Sequence, residues 1–172
     1  MFAQTVNPPE KLLPWLNHQR SLTAKLKKER GEAILSILKQ EWRNCSWWDR
    51  YVLGLAINSV MHRDIIMTAQ NKACWYARTI IPCDCYEKNA SFFMRLKEEA
   101  LGVIIFDTPE IQRDRMIHYS IDSASLEYYW LPHHLRGTGE RLWVRLSKFI
   151  LPQSTFFYLV EILLPELLRM KN

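Results

Sequence analysis

The sequence predicts an α+β fold, one antiparallel β-sheet with helices packed on one face. Three observations carry that prediction. Two pairs of apolar, β-prone segments are joined by short polar turns, Arg63–Pro82 and Arg141–Leu164, and each pair reads as a hairpin. No two apolar strands are linked by the long helical crossover that parallel strands require. At 172 residues, 48% hydrophobic and 24% charged, with 5 Gly and 8 Pro, the chain has the length and composition of one folded domain spanning 1–172.

The elements follow in chain order. Pro8, Pro9 and Pro14 interrupt the first twenty residues, and Leu12, Leu13, Trp15 and Leu16 beside them predict a short helical or irregular piece packed on the body. Ser21 is a fair helix cap, Leu22 and Leu26 share a face behind it, and Gly31 is the stop signal. Ala33–Leu38 reads as a mostly buried strand ending near Trp42, with a loop or short turn over Asn44–Trp48. The first hairpin turns at Gln70-Asn71-Lys72, and Pro82 ends its second strand because it cannot donate to a ladder. Ser91–Ala100 has helical spacing, closed by Leu101-Gly102, and Val103–Phe106 is a short apolar piece. Arg115–Tyr119 and Leu126–Leu131 are candidate strands, and His133–Gly139 is turn-like. Along Arg141–Leu151, Leu142, Val144 and Leu146 alternate with Arg141, Arg145 and Ser147. Pro152-Gln153-Ser154 then turns the chain into the apolar strand Thr155–Leu164.

Several function classes drop out on composition. No apolar run exceeds seven residues, as in Tyr51–Ile57, against the roughly 18 that a membrane span needs. The N-terminal residues have neither the basic end nor the apolar core of a secretory signal. A cytoplasmic protein without membrane insertion is expected. Lys plus Arg is 23 and Asp plus Glu is 18, for a net charge of +5. The densest basic stretch, Lys25, Lys27, Lys28 and Arg30, reads as a solvated helix face, and the aromatic residues are poorly interleaved with basic ones, so no nucleic-acid partner is expected. The positive excess favours an anionic small molecule. Cys83 and Cys85 are one residue apart, with no second close pair to complete a metal site, so Cys45, Cys74, Cys83 and Cys85 read as free thiols. There is no Gly-rich phosphate loop, no Gly-x-Ser-x-Gly elbow and no His-Glu-x-x-His. Neither a metal nor an organic cofactor is expected.

Two charges break the apolar pattern. Glu161 lies between Phe156-Phe157-Tyr158-Leu159-Val160 and Ile162-Leu163-Leu164, and Arg78 lies within Trp75-Tyr76-Ala77-Arg78-Thr79-Ile80-Ile81. A carboxylate or guanidinium in such company is expensive unless it is paired or hydrogen-bonded. Two readings stand: a structural Arg78–Glu161 ion pair or edge placement, or two charges facing a buried cavity and holding opposite ends of a polar ligand.

Four segments resemble the chorismate pyruvate-lyase family. The first is Leu12-Leu13-Pro14-Trp15-Leu16 with Ser21-Leu22-Thr23. The second is Arg63-Asp64-Ile65-Ile66-Met67 through Trp75-Tyr76-Ala77-Arg78-Thr79-Ile80-Ile81-Pro82. The third is Ala100-Leu101-Gly102, where the family has proline in place of Ala100, and the fourth is Leu142-Trp143-Val144-Arg145-Leu146-Ser147 through Val160-Glu161-Ile162-Leu163-Leu164-Pro165. Arg113-Asp114 match the family's arginine and acid beyond the third segment only loosely.

The resemblance implies a single antiparallel sheet of about six strands, with a site buried under helical flaps. It implies cofactor-free cleavage of chorismate to 4-hydroxybenzoate and pyruvate, the first committed step towards ubiquinone, by a monomer. It assigns Arg78 to the aromatic carboxylate, backbone amides at Leu22 and Leu101 to the same carboxylate, and Glu161 to the far end of the ring. Apolar neighbours suit Glu161 to a general-acid role, and Arg145 is a further candidate for the enolpyruvyl carboxylate. The rival is a non-catalytic acid-binding module like the ligand-sensing domains of bacterial transcription regulators. Such a protein would carry a preceding DNA-binding region, for which residues 1–32 are expected to be too short.

Overall fold

The computed structural model describes residues 6–97, 99–137 and 139–170. Its frame is a six-stranded sheet of β1 (Ile34–Asn44), β2 (Ser59–Ala69), β3 (Lys72–Pro82), β4 (Gln112–Ile121), β5 (Leu142–Leu151) and β6 (Thr155–Leu163). The spatial order is β1-β2-β3-β6-β5-β4, and all five pairings are antiparallel. Both expected hairpins are present. The first turns through Gln70 and Asn71, both at positive φ (51° and 59°), the backbone that a two-residue hairpin loop requires. The second turns through Pro152–Ser154, with Gln153 at φ 65°.

Seven helices surround the sheet: α1 (Leu13–Leu16), α2 (Leu22–Arg30), α3 (Trp47–Leu53), α4 (Cys83–Lys88), α5 (Ala90–Met94), α6 (Leu101–Phe106) and α7 (Glu166–Arg169). Among the described residues no helix is long and apolar enough to cross a membrane. Helix α2 forms as its signals suggest. The Ser21 hydroxyl accepts the Ala24 amide at 3.2 Å, and Gly31 closes the helix at φ 84°. Its apolar stripe, Leu22 and Leu26, is buried, and each such side chain contributes roughly 1.5–3 kcal/mol.

Register decides what faces what. Across the inner strands Ile65 stands opposite Ala77, Ala77 opposite Glu161, and Glu161 opposite Arg145. Side chains alternate along a strand. Odd-numbered residues of β3, β5 and β6, with Arg63 and Ile65 of β2, therefore share one face, and their even-numbered neighbours share the other. The odd face packs against α1, α2, α4, α5, α6 and α7 through Trp15, Leu16, Leu26, Phe93, Ile104 and Leu167, among others. The even face is covered by Trp48 of α3 and by Tyr128 and Leu131 of the 122–139 connection.

Several expectations are corrected here. Helices lie on both faces of the sheet, not one: α3 occupies the second. The 33–38 strand is not mostly buried. It belongs to β1 at the sheet edge, where Ile34, Ile37, Leu38 and Trp42 are all exposed. The expected loop after Asn44 gives way at Trp47 to α3, nucleated by a reciprocal cap in which Ser46 and Asp49 bond each other's backbone amides. Leu101-Gly102 opens helix α6 rather than closing the preceding one. Leu126–Leu131 is not a strand but a turn leading into the 3₁₀ helix Glu127–Trp130.

Candidate active site

A cleft on the odd face runs between the sheet and the starts of α2 and α6. It encloses about 540 Å³ of space free of protein atoms, part of it open to solvent. Its walls include Leu22 and Leu101, Arg63 from β2, Arg113 from β4, Arg145 from β5 and Glu161 from β6. The amides of a helix's first turn have no intrahelical carbonyl, so the two helix starts bring free N–H groups to one end of the cleft. The approach is tight: a methyl group added at Gly102 would lie 2.7 Å from the Ser21 hydroxyl.

Arg63 is 1% exposed. Its Nη2 donates to the Glu99 carbonyl at 3.1 Å, while its Nε has no partner. No carboxylate among the described residues lies within ion-pair distance of it. Burial without compensation pulls its pKa down from the ordinary guanidinium value to about 10. A buried cation in that position is stabilised by any anion that enters.

Arg145 and Glu161 face each other one row along the sheet. The Arg145 Nε lies 3.3 Å from a Glu161 carboxylate oxygen. Its Nη1 donates to the Trp15 carbonyl at 2.8 Å, which ties β5 to the end of α1. Arg113 rests over the Phe149 ring, 5.3 Å from guanidinium carbon to ring centroid, and its Nη1 donates to the Gln19 carbonyl at 2.9 Å. Burial lowers its pKa, as does the charge of Arg145. The cleft thus holds three buried or half-buried guanidinium groups and one carboxylate. Among the described residues no group of three or more His, Cys, Asp or Glu side chains is arranged to hold a metal ion.

The structure brings four of the five residues singled out in the sequence, Leu22, Leu101, Arg145 and Glu161, to this cleft. Arg78 is the exception, and its assignment to the aromatic carboxylate needs correction. Its even-face position puts it opposite Asp64 and Val160, on the far side of the sheet from Glu161. There its Nε and Nη2 each donate to an Asp64 oxygen at 2.8 Å, and its guanidinium lies over Trp130 at 4.2 Å. An Arg78–Glu161 pair is excluded by the same register. Glu161 is also not in purely apolar company, because Arg145 is its partner.

The residue that sequence reasoning missed is Arg63. It heads the Arg63-Asp64-Ile65-Ile66-Met67 segment of the resemblance, but the sequence assigns it no role. The cross-strand register was the signal that could have found it: Arg63 stands opposite Thr79, and Thr79 opposite Leu159, two residues from Glu161 and on the same face.

Comparison with known proteins adds an independent line. The family model described as chorismate lyase matches residues 3–169. A probable chorismate pyruvate-lyase of Thiobacillus denitrificans is 28% identical over 163 residues, covering 93% of this chain and 86% of that protein. One from Azoarcus sp. is 26% identical over 166 residues, covering 92% and 86%. Solved structures share the fold at lower identity. PhnF from Mycobacterium smegmatis has a TM-score of 0.57 at 16% identity, covering 90% of this chain and 67% of that one. The ligand-binding domain of a putative GntR-family regulator from Bordetella bronchiseptica has 0.56 at 13%, covering 80% and 86%.

Proposed function

The chain belongs to the chorismate lyase family, and from that premise we propose that it cleaves chorismate to 4-hydroxybenzoate and pyruvate without a cofactor, supplying the aromatic acid at the first committed step of ubiquinone biosynthesis. The observation that carries the reading is the charge of the cleft. Setting aside the exposed Arg20, three buried or half-buried guanidinium groups against one carboxylate leave two positive charges in a partly enclosed space, and chorismate brings two carboxylates.

In this reading Arg63 takes the part that the resemblance gave to Arg78. Together with the first-turn amides at Leu22 and Leu101, it holds the ring carboxylate. Glu161 lies towards the other end of the ring. The ring-carbon–oxygen bond breaks, and its electron pair leaves on the enolpyruvyl oxygen. The C–H pair on the neighbouring carbon becomes the third ring double bond, and the released proton ends on the enolpyruvate methylene, giving pyruvate. Aromatisation drives the reaction. The protein's share is to hold the substrate in its reactive pose and to stabilise the departing oxygen. As the carboxylate partner of an ion pair, Glu161 acts as proton acceptor at the ring carbon in place of the general-acid role expected from the sequence, and Arg145 beside it holds that carboxylate in position.

The test is to mix purified protein with chorismate, following 4-hydroxybenzoate by absorbance and pyruvate in a coupled assay. Glu161→Gln keeps the shape but cannot take a proton, so kcat should fall by roughly 10²- to 10⁴-fold, with calorimetric affinity for 4-hydroxybenzoate little changed. A folded Glu161→Gln protein turning over at the normal rate would remove Glu161 from the chemistry. Binding of 4-hydroxybenzoate with no pyruvate formed by the wild type would favour a non-catalytic acid-binding module instead.

A further inference from the structure

The cleft's three arginines are not equivalent, and their partners separate them. Arg145 has an acid within ion-pair distance, the Glu161 carboxylate at 3.3 Å, although its Nε makes no hydrogen bond there, and its Nη1 donates to the Trp15 carbonyl at 2.8 Å. Its charge is matched before any substrate arrives. Arg113 has only the Gln19 carbonyl and the face of Phe149, its Nε has no partner, and no acid among the described residues lies within ion-pair distance. Its neighbour Asp114 reaches instead towards Lys148, at 3.9 Å. Arg20 also lines the cleft but is exposed.

Arg63 and Arg113 are therefore the two cleft cations, buried or half-buried, that lack an acid. They enter from opposite walls. β2 and β4 are four strand positions apart in the sheet, roughly 19 Å at about 4.8 Å per strand, and both side chains line the space between.

We infer that Arg113 is the anchor for the substrate's second carboxylate, that of the enolpyruvyl arm, and that Arg145 is a positioning residue that holds Glu161 in place. The inference rests on the lyase reading and deepens it. Two acid-free guanidinium groups at opposite walls match one dianion with a carboxylate at each end. Repulsion from Arg145, together with burial, already disfavours the Arg113 charge in the empty cleft, and a carboxylate at Arg113 relieves both.

The substrate and the aromatic product provide the test, because 4-hydroxybenzoate lacks the enolpyruvyl carboxylate. Arg113→Met keeps a stem to pack on Phe149 and removes the charge. It should raise KM for chorismate by about 10- to 100-fold, the loss of one charge-assisted contact, while Kd for 4-hydroxybenzoate stays within twofold. Arg113→Lys should recover part of the loss. Arg63→Met, in contrast, should weaken both ligands. Arg145→Lys should lower kcat while leaving KM within about threefold, the split expected of a group acting through Glu161. Wild-type turnover with Arg113→Met weakening both ligands alike, or neither, would overturn the inference alone. A wild-type protein that neither forms pyruvate nor binds 4-hydroxybenzoate would sink the lyase reading, and the inference with it.

Discussion

Arg78 is the sharpest case for separating a structural charge from a functional one. Its bidentate bond to Asp64 is buried, with side-chain exposures of 10% and 7% and both N–O distances at 2.8 Å. Burial alone would lower the Arg78 pKa, but the Asp64 bond and its charge outweigh that and hold it above the ordinary value. Replacing Arg78 with Met strands the Asp64 carboxylate under Trp130 and the 122–139 connection. Removing one partner of a buried pair costs about 3–5 kcal/mol, and loss of the cation on the Trp130 face adds up to about 2 kcal/mol. For a chain of this size, roughly 2–4 °C per kcal/mol makes the expected fall in Tm about 6–28 °C for a combined loss of about 3–7 kcal/mol. That is a large share of a total stability of about 5–15 kcal/mol. The double variant Arg78→Met with Asp64→Leu removes both charges and should recover most of the loss. Calorimetric melting of the two variants gives the stability, and titration with 4-hydroxybenzoate at 15 °C, where both remain folded, gives the affinity. The affinity should be within twofold of wild type. A folded Arg78→Met protein that binds 4-hydroxybenzoate ten times more weakly would refute the separation of the two sheet faces.

Two further outcomes follow from polar groups outside the cleft. Burial would raise the Asp49 carboxyl, but bonds to the His62 ring and the Ser46 amide, each 2.9 Å, override it and leave the pKa below its ordinary value. A depressed carboxyl stabilises the native state above its unfolded pKa of about 3.9, and that contribution is lost as pH falls through the native value; Asp49→Asn should therefore flatten the Tm profile below about pH 4, and an unchanged acid limb would contradict this. At the first hairpin turn Asn71 holds φ 59°, so Asn71→Gly should stabilise by roughly 0.5–1 kcal/mol; a lower Tm would show that the asparagine side chain outweighs the backbone strain.

Much of the fold was legible from short-range signals. Both long hairpins, the Ser21-capped helix and the β4 segment were readable because turn chemistry, caps and alternation are local. The misread burial of the first strand has a plain physical cause: burial depends on where an element sits in the sheet. Ile34, Leu38 and Trp42 look like core residues, yet β1 has one neighbour instead of two and leaves them exposed. The Trp47–Leu53 helix was hidden behind a capping pair, Ser46 and Asp49, whose reciprocity is clear only once both backbone amides are placed.

The site was half legible for the same reason. Charged residues inside apolar segments marked Glu161 and Arg78, since each carries a desolvation cost that something must offset. That argument ranks positions but cannot tell two faces of a sheet apart. Arg78 and Glu161 break the pattern equally in sequence. Yet the pairing of Ala77 with Glu161 turns Arg78 to the opposite side, where Asp64 pairs with it. Arg63 is as deeply buried and has no such partner among the described residues. Buried charge alone therefore does not mark a ligand site. A buried charge whose compensation the protein fails to supply does, and on that criterion Arg63 and Arg113 stand apart from Arg78 and Arg145. The two satisfied arginines are fixed by acids of the chain, Asp64 and Glu161. The two without an acid line the same cleft, and that shared placement is what supports an anionic ligand between them.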